Sequence, residues 1–238
     1  MKTIGLIGGM SWESTAVYYR LINEQVRQRL GGLHSAEIAM RSLDFTRIVA
    51  LQQAGRWGDA GMLLGKAGAE LARSGAGCFL ICTNTMHLVA DPVARMAGVP
   101  LIDIIDETAA SLRADGRKRP LLLATRYTME HGFYAERMAR HGIDVTVPDD
   151  AGRAVVHGVI FDELCRGLVR DESRNSLLSM IAAARAQNID SVILGCTEIS
   201  MLIDPRSIAV PGYDSTAIHA AAAVRFALDG TMPVSTAA

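Results

Sequence analysis

The chain has 238 residues and 50% of them are hydrophobic, which suffices for one large or two small domains and excludes a disordered protein. A formal net charge of −1 gives no electrostatic reason to expect nucleic acid or an anionic membrane as a partner. No apolar run reaches the roughly 20 residues that span a bilayer, and four cysteines without framework spacing are typical of a reducing compartment. We therefore expect a cytoplasmic globular protein.

The first part of the chain predicts strands and helices in alternation. Strands are predicted at Ile4–Ile7, Glu37–Leu43, Cys78–Cys82 and Val99–Ile102, and helices at 12–30, 59–74 and 87–96. Alternation of this kind is typical of a parallel sheet covered by helices.

The second part repeats the alternation after a helix at 106–113 and a polar turn at 115–120. Strands are predicted at Leu121–Ala124, Ile143–Val147, Ser191–Leu194 and Ile208–Pro211, and helices at 129–141, 154–169, 173–187 and 213–228. Residues 231–238 are expected to be frayed.

Corresponding features of the two parts recur at nearly one spacing. Thr83 and Cys196 lie 113 residues apart, and Gly9 and Thr125 lie 116 apart, as Tyr18 and Tyr134 also do. We interpret this as a duplicated α/β half; the alternative is coincidence, because any two βαβ units share the order strand, turn, helix. The predicted fold is two pseudo-symmetric α/β domains, each a mostly parallel sheet flanked by helices. Their bounds are 1–104 plus 212–238, and 105–211.

Two apolar runs end in a small nucleophilic residue followed by polar ones. The run that begins at Phe79 reaches Thr83, and the run that begins at Val192 reaches Cys196. Ligands bind at the carboxyl ends of strands in open parallel sheets. A helix N-terminus beside Cys196 would lower the pKa of its thiol. By itself Cys196 would be read as a small buried hydrophobe, and the matching position of Thr83 in the other half favours a catalytic role instead.

Cys82 is an alternative to Thr83 because the two are neighbours. Successive strand side chains point to opposite faces, so only one of them can face a ligand. Aligning Asn84 with Thr197 places Thr83 at the strand end and Cys82 in the sheet packing.

Several polar residues beside these positions suit a carboxylate. Asn84, Thr85 and Thr197 are side-chain donors next to exposed amides. Met10 and Ser11 follow a Gly-Gly pair and can offer loop amides, whereas Arg166 is either a ligand cation or a solvated helix charge. The glycine spacing does not predict a dinucleotide site, and the cysteine spacing does not predict zinc.

Four motifs resemble the aspartate/glutamate racemase family. They are Gly8-Gly9-Met10-Ser11-Trp12-Glu13-Ser14-Thr15, Cys82-Thr83-Asn84-Thr85-Met86-His87, Thr125-Arg126-Tyr127-Thr128-Met129 and Gly195-Cys196-Thr197-Glu198. The resemblance extends to about Leu228. It implies two α/β domains with the active site in the cleft between them, no cofactor and a homodimer.

The resemblance also implies roles for individual residues. The acid/base pair of the family, commonly two cysteines, falls on Thr83 and Cys196. The carboxylate-binding residues fall on Asn84, Thr85 and Thr197, and Met10 and Gln52 are further substrate contacts. Ser11, Thr125 and Arg166 complete the predicted substrate-binding set. Threonine in place of the first cysteine resembles the L-aspartate/glutamate-specific subgroup.

The predicted function is a cofactor-independent racemase that interconverts L- and D-aspartate or glutamate. Inversion requires one group to remove the α-proton and another to return a proton on the opposite face. Alternatives are a hydantoin racemase or maleate isomerase, or a binding protein without turnover, because Thr83 is a weak base. The expected partner is a small acidic amino acid.

Overall fold

The computed structural model describes residues 1–232 and Val234. The chain divides into two compact units, one formed by Met1–Glu107 with the segment that begins at Ala217, the other by Thr108–Thr216. Each unit contains a three-stranded parallel sheet, so the predicted α/β class is confirmed. Pro233 and residues 235–238, which belong to the predicted frayed terminus, lie outside the described residues.

The strands are short and the helices longer. The strands are β1 (Thr3–Gly8), β2 (Ile38–Ser42), β3 (Ala76–Ile81), β4 (Pro120–Leu123), β5 (Ser191–Leu194) and β6 (Gly212–Asp214). The helices are α1 (Trp12–Leu30), α2 (Phe45–Gln53), α3 (Trp57–Arg73), α4 (Ala90–Ala97), α5 (Ile104–Ala114), α6 (Arg126–Glu130), α7 (Phe133–Arg140), α8 (Asp150–Gly158), α9 (Asp171–Ala184), α10 (Ile199–Leu202) and α11 (Ser215–Asp229). Short 3-10 segments at Thr85–Val89, Leu164–Arg166, Arg185–Gln187 and Pro205–Ser207 and a π-helical turn at Val159–Glu163 complete the elements. Among the described residues, no helix combines the length and the apolar character that crossing a membrane requires.

Both faces of the first sheet are buried under helices. Leu6 of β1 belongs to the core cluster that includes Tyr18 of α1 and Ala223 of α11. The next residue, Ile7, belongs to a second cluster with Leu64 of α3. Because neither face meets water, β1 and β3 are almost continuously apolar rather than alternating.

The two sheets share one topology. Beyond the named strands, Leu101 forms an isolated parallel bridge with β3, and Thr146 forms one with β4. With these edges included, the strand segments of each unit follow the order 2-1-3-4 across the sheet, counted along the chain.

Strand register agrees with the duplication. Leu6 lies opposite Leu80 in the first sheet. Leu122 lies opposite Ile193 in the second. Leu122 follows Leu6 by 116 residues and Ile193 follows Leu80 by 113, the same two spacings that the sequence motifs show. The duplication is therefore visible in backbone pairing as well as in side chains.

Three predicted strands differ from the observed ones. The segments predicted at 99–102 and 143–147 are reduced to single bridges. The last strand lies at Gly212–Asp214 rather than at 208–211, since Pro211 has no N–H to donate and only its carbonyl accepts, from Val192 N at 2.9 Å. β6 pairs with β5, so residues 212–214 lie in the second unit, whereas the predicted boundary placed them in the first domain.

Two predicted helices are interrupted. The helix predicted at 129–141 is divided into α6 and α7 at Gly132, whose φ of 79° is not helical. The helix predicted at 154–169 begins earlier, passes from α8 into the π-helical turn, and ends at Gly167 with φ 74°.

Candidate active site

In the first unit, Thr83 lies just beyond the end of β3. Its backbone N–H donates to the Ile81 carbonyl at 2.7 Å, which turns the chain at the sheet edge. Thr83 is half-buried, whereas Asn84 and Thr85 are almost fully buried. The turn therefore leaves the Thr83 side chain as the accessible member of the three.

One buried histidine, His87, fixes this turn, and a second, His219, packs against its ring. His87 Nδ1 lies 2.8 Å from the Thr83 carbonyl, and its Nε2 lies 3.3 Å from the Ile104 N–H. An amide can only donate, so we assign the proton to Nδ1, which donates to Thr83. His219 Nε2 lies 2.7 Å from the Ile102 carbonyl and its Nδ1 lies 2.8 Å from the Tyr18 hydroxyl. Burial, followed by the charge of His87, lowers the pKa of His219 to about 3. His219 thus binds the Ile102 carbonyl as a neutral ring, and His87 links the Thr83 carbonyl to the Ile104 N–H.

The predicted contacts Met10 and Gln52 are both buried in the first unit. Met10 is in the same core cluster as Met86, and Gln52 Nε2 donates to the Met86 sulfur at 3.2 Å. Ser11 is the N-cap of α1, where its side-chain oxygen accepts from Ser14 N at 3.2 Å. Met10 and Ser11 therefore have packing and capping roles at the loop after β1, and Gln52 binds the core residue Met86.

Cys82 is packed in the sheet, as the alternation of strand side chains predicts. It is fully buried in the core cluster with Leu80 and Cys78. Burial raises the pKa of the Cys82 thiol far above its usual range. Burial also raises the pKa of Cys78 to about 12. Both side chains therefore stay protonated near neutral pH and are unreactive there, because only the thiolate is nucleophilic.

In the second unit, Cys196 and Thr125 follow neighbouring strands. Thr125 comes two residues after β4 and caps α6 by accepting from Thr128 N at 3.4 Å. Gly195 N–H donates to the Leu123 carbonyl at 2.8 Å, so Cys196 follows directly on a paired residue. Glycine is favoured at 195, since an added Cβ would lie 2.7 Å from Leu122 Cδ1 and force that side chain to shift.

The partly buried Cys196 thiol is hydrogen-bonded to a carboxylate. Its Sγ donates to Glu198 Oε2 at 2.9 Å, and Cys165 Sγ lies 3.8 Å from the other oxygen, Oε1. Burial, and then the negative charge of Glu198, raise the pKa of Cys196 well above its ordinary value. The expectation that this pKa is lowered is wrong: the following helix α10 has only four residues, and the nearest charge is negative.

The other predicted contacts of this unit differ in exposure. Thr197 is buried and its hydroxyl lies 3.0 Å from that of Thr216. Arg166 is exposed and its guanidinium lies 3.7 Å from the Asp162 carboxylate. Thr197 is therefore held beside Cys196, whereas Arg166 is in a surface ion pair. Within the residues that the structure describes, no group of three or more His, Cys, Asp or Glu side chains could hold a metal ion.

The family model described as Asp/Glu/Hydantoin racemase matches residues 7–223, nearly the whole chain. The chain belongs to this family. The resemblance inferred from the four motifs is thereby confirmed, as is the enzyme class, a racemase-type isomerase, at the level of the family.

Two solved structures resemble this racemase-family protein over their whole length. A protein of Yersinia pestis, provisionally assigned as an Asp/Glu racemase, is 48% identical with a TM-score of 0.90, covering 96% of this chain and 100% of that one. An aspartate racemase homologue from Pyrococcus horikoshii OT3 is 32% identical with a TM-score of 0.84, covering 95% and 99%. The broad specificity amino-acid racemase RacX of Bacillus subtilis (strain 168) is 22% identical over 158 residues. That alignment covers 65% of this chain and 66% of RacX, about two thirds of its length.

Sequence reasoning missed the contacts that Glu198 and His87 make. Glu198 lies two residues after Cys196, and its side chain folds back to accept from that thiol. His87 binds the Thr83 carbonyl through Nδ1. A buried acid two residues after a candidate nucleophile is the signal that could have found Glu198.

Proposed function

We propose that this protein interconverts the L- and D-enantiomers of aspartate or glutamate without a cofactor, with Cys196 and Thr83 as its two acid/base groups. The observation that carries the proposal is the duplicated fold, in which both groups follow the third strand segment of a 2-1-3-4 sheet. Each presents a side-chain O–H or S–H at the sheet edge where ligands of such folds bind.

The proposed chemistry is a proton transfer on each face of one α-carbon. Starting from the L-enantiomer, the Cys196 thiolate takes the α-proton, and the Thr83 hydroxyl gives a proton to the carbanion and takes a replacement proton from solvent. The negative charge of the carbanion spreads into the α-carboxylate, which hydrogen-bond donors must stabilise. We assign that role to Asn84, Thr85 and Thr197.

The choice of acidic substrates rests on residue chemistry and on the relatives. The strand ends carry amide and hydroxyl side chains rather than aromatic ones, and the Yersinia pestis and Pyrococcus horikoshii relatives carry aspartate or glutamate in their names. Met10, Ser11, Gln52, Thr125 and Arg166 complete the proposed binding set. By family resemblance we also propose a homodimer, which sedimentation equilibrium would test.

Exchange of the α-proton in D₂O, followed by ¹H NMR, tests the proposal. We expect L-aspartate or L-glutamate to exchange and L-alanine to remain unlabelled. Cys196→Ser should abolish the exchange, and Cys82→Ser is the matched control because it makes the same change in the core and should retain it. Near-normal exchange by folded Cys196→Ser would refute the assignment of Cys196.

A binding protein without turnover is the second candidate. Two observations favour it: the pKa of Cys196 is raised, and Thr83 presents a hydroxyl, which is a weak base. Titration calorimetry separates the two functions. Aspartate binding with no α-proton exchange at any pH between 6 and 10 would identify a binding protein.

Thr83 also gives the proposed reaction a direction that can be measured. A hydroxyl can donate a proton to a carbanion but starts the reaction from the D-enantiomer poorly. Free enantiomers have equal energy, so kcat/KM is equal in both directions and any asymmetry lies in kcat offset by KM. We expect a larger kcat from the L-enantiomer, and Thr83→Cys should raise kcat from the D-enantiomer. Symmetric wild-type kcat values would contradict this role of Thr83.

A further inference from the structure

Glu198 is a buried carboxylate whose two oxygens both face thiols. The residue is 3% exposed, and Cys196 Sγ lies 2.9 Å from Oε2 while Cys165 Sγ lies 3.8 Å from Oε1. Cys196 Sγ is the donor of this hydrogen bond and the carboxylate oxygen the acceptor, so the thiol hydrogen of Cys196 points at Glu198. The sulfur lone pairs are consequently directed elsewhere.

We propose that Glu198 is a positioning residue for Cys196: its carboxylate accepts the thiol hydrogen, orients the sulfur and holds Cys196 as a neutral thiol in the free protein. The inference deepens the proposed racemase function, because it states the form in which the acid/base group of the second unit waits for substrate. Nothing in the family assignment determines that form.

Charge and burial act in the same direction on this thiol. Removing its proton would place a thiolate 2.9 Å from a carboxylate in a desolvated environment, and like charges at that distance disfavour ionisation. The titratable groups that act on Cys196 are Glu198 and Cys165, and both raise its pKa. In the free protein Cys196 is therefore ready to donate a proton, and it must first lose one to act as a base.

The test measures the rate of Cys196 alkylation by iodoacetamide from pH 6 to pH 11, with peptide mass spectrometry to resolve the four cysteines. In the wild type, the pH at which the alkylation rate of Cys196 is half its maximum (the midpoint) is expected above the value of about 8.5 for a free cysteine. Glu198→Gln keeps the shape of the side chain and removes its charge, so its midpoint should fall by at least about one unit. Each unit raises the thiolate fraction tenfold but lowers its nucleophilicity about threefold, for a net gain of about threefold at pH 7.5.

Two variants serve as controls. Glu198→Asp retains the charge and should keep the midpoint within about half a unit of wild type. Glu130→Gln makes the same substitution elsewhere in the second unit, at a residue paired with Arg153, and should leave the midpoint unchanged. A merely structural role of Glu198 would instead make all four cysteines more reactive together.

The wild-type measurement tests the proposal even if a variant fails to fold. A wild-type midpoint at or below that of free cysteine would overturn the proposal, as would an unchanged or higher midpoint in folded Glu198→Gln. Alkylation needs no substrate, so its outcome is independent of the racemase proposal. If the midpoint falls as expected while no α-proton exchange is found, the positioning role stands and the proposed function fails.

Discussion

Acidification should destabilise the first unit through His219. The ring is fully buried, and its pKa is lowered from 6.5 to about 3 by burial and then by the charge of His87. Below pH 6.5 the unfolded chain binds a proton at this residue while the folded protein does not, so stability falls with pH until about pH 3. At about 1.4 kcal/mol per unit, the loss is about 2 kcal/mol between pH 7 and pH 5 and approaches about 5 kcal/mol at most.

Urea unfolding of wild type and His219→Gln at pH 7 and pH 5 measures this term. The variant loses stability at both pH values because the bonds to Tyr18 and Ile102 change, but its free energy of unfolding should depend less on pH by about 2 kcal/mol. NMR of the folded wild type is a second measurement, in which the His219 ring signals should not titrate between pH 7 and pH 5. Equal pH dependence of the two proteins would refute the reasoning.

Three further predictions concern packing, thiols and metals. Gly195→Ala should lower Tm by several degrees, a cost of about 1–3 kcal/mol, because the new Cβ would lie 2.7 Å from Leu122 Cδ1. Gly58→Ala is the control: no atom lies within 4 Å of its new Cβ, so Tm should be unchanged or higher. At pH 8 iodoacetamide should spare Cys78 and Cys82, which are buried thiols with raised pKa values, and modification of Cys82 as fast as Cys196 would contradict its core position. A chelator should leave α-proton exchange unchanged, since the described residues hold no metal-ligand group, and a loss reversed by zinc would overturn that expectation.

The sheet positions were predictable because buried parallel strands have a strong signature. β3 and β5 are apolar runs that end where small polar residues begin, so their position needs no knowledge of tertiary contacts. The spacings of 113 and 116 residues carried further information, since they reappear as the strand register. The separation of Cys82 from Thr83 followed from side-chain alternation together with the alignment of Asn84 with Thr197.

What sequence could not predict depends on contacts between distant residues or on the ends of helices. The edge segments at 101 and 146 each form one bridge, a matter of local geometry that composition does not encode. The break at Gly132 resembles a tolerated helical glycine until its φ is known. The raised pKa of Cys196 depends on α10 being only four residues long and on Glu198 turning back, and neither follows from the Cys-Thr-Glu motif. The position and exposure of Arg166 also depend on a turn, Gly167, that ends its helix.

The two copies of the strand end differ in two ionisable groups, a thiol and a carboxylate, and this difference gives a last prediction. At the spacing of 113 residues Cys196 corresponds to Thr83, and Glu198 corresponds to Thr85, so a carboxylate accompanies the thiol and a neutral hydroxyl accompanies the hydroxyl. A carboxylate beside Thr83 would have no effect on the charge of that residue, because a hydroxyl does not ionise near neutral pH. Thr83→Cys makes the difference between the copies measurable. The new thiol lies in a half-buried position like that of Cys196, but Thr85 stands where the other copy has Glu198, so no carboxylate occupies the equivalent position.

We therefore expect the thiol introduced at 83 to be alkylated with a midpoint lower than that of Cys196 in the same molecule, by about one unit or more. Adding Thr85→Glu should raise the midpoint at 83 towards that of Cys196, and Thr85→Gln is the matched neutral control. Equal midpoints for the two thiols in Thr83→Cys would mean that burial alone determines their ionisation. In that case the carboxylate of Glu198 would be an incidental neighbour, and the divergence of the two copies would need another cause.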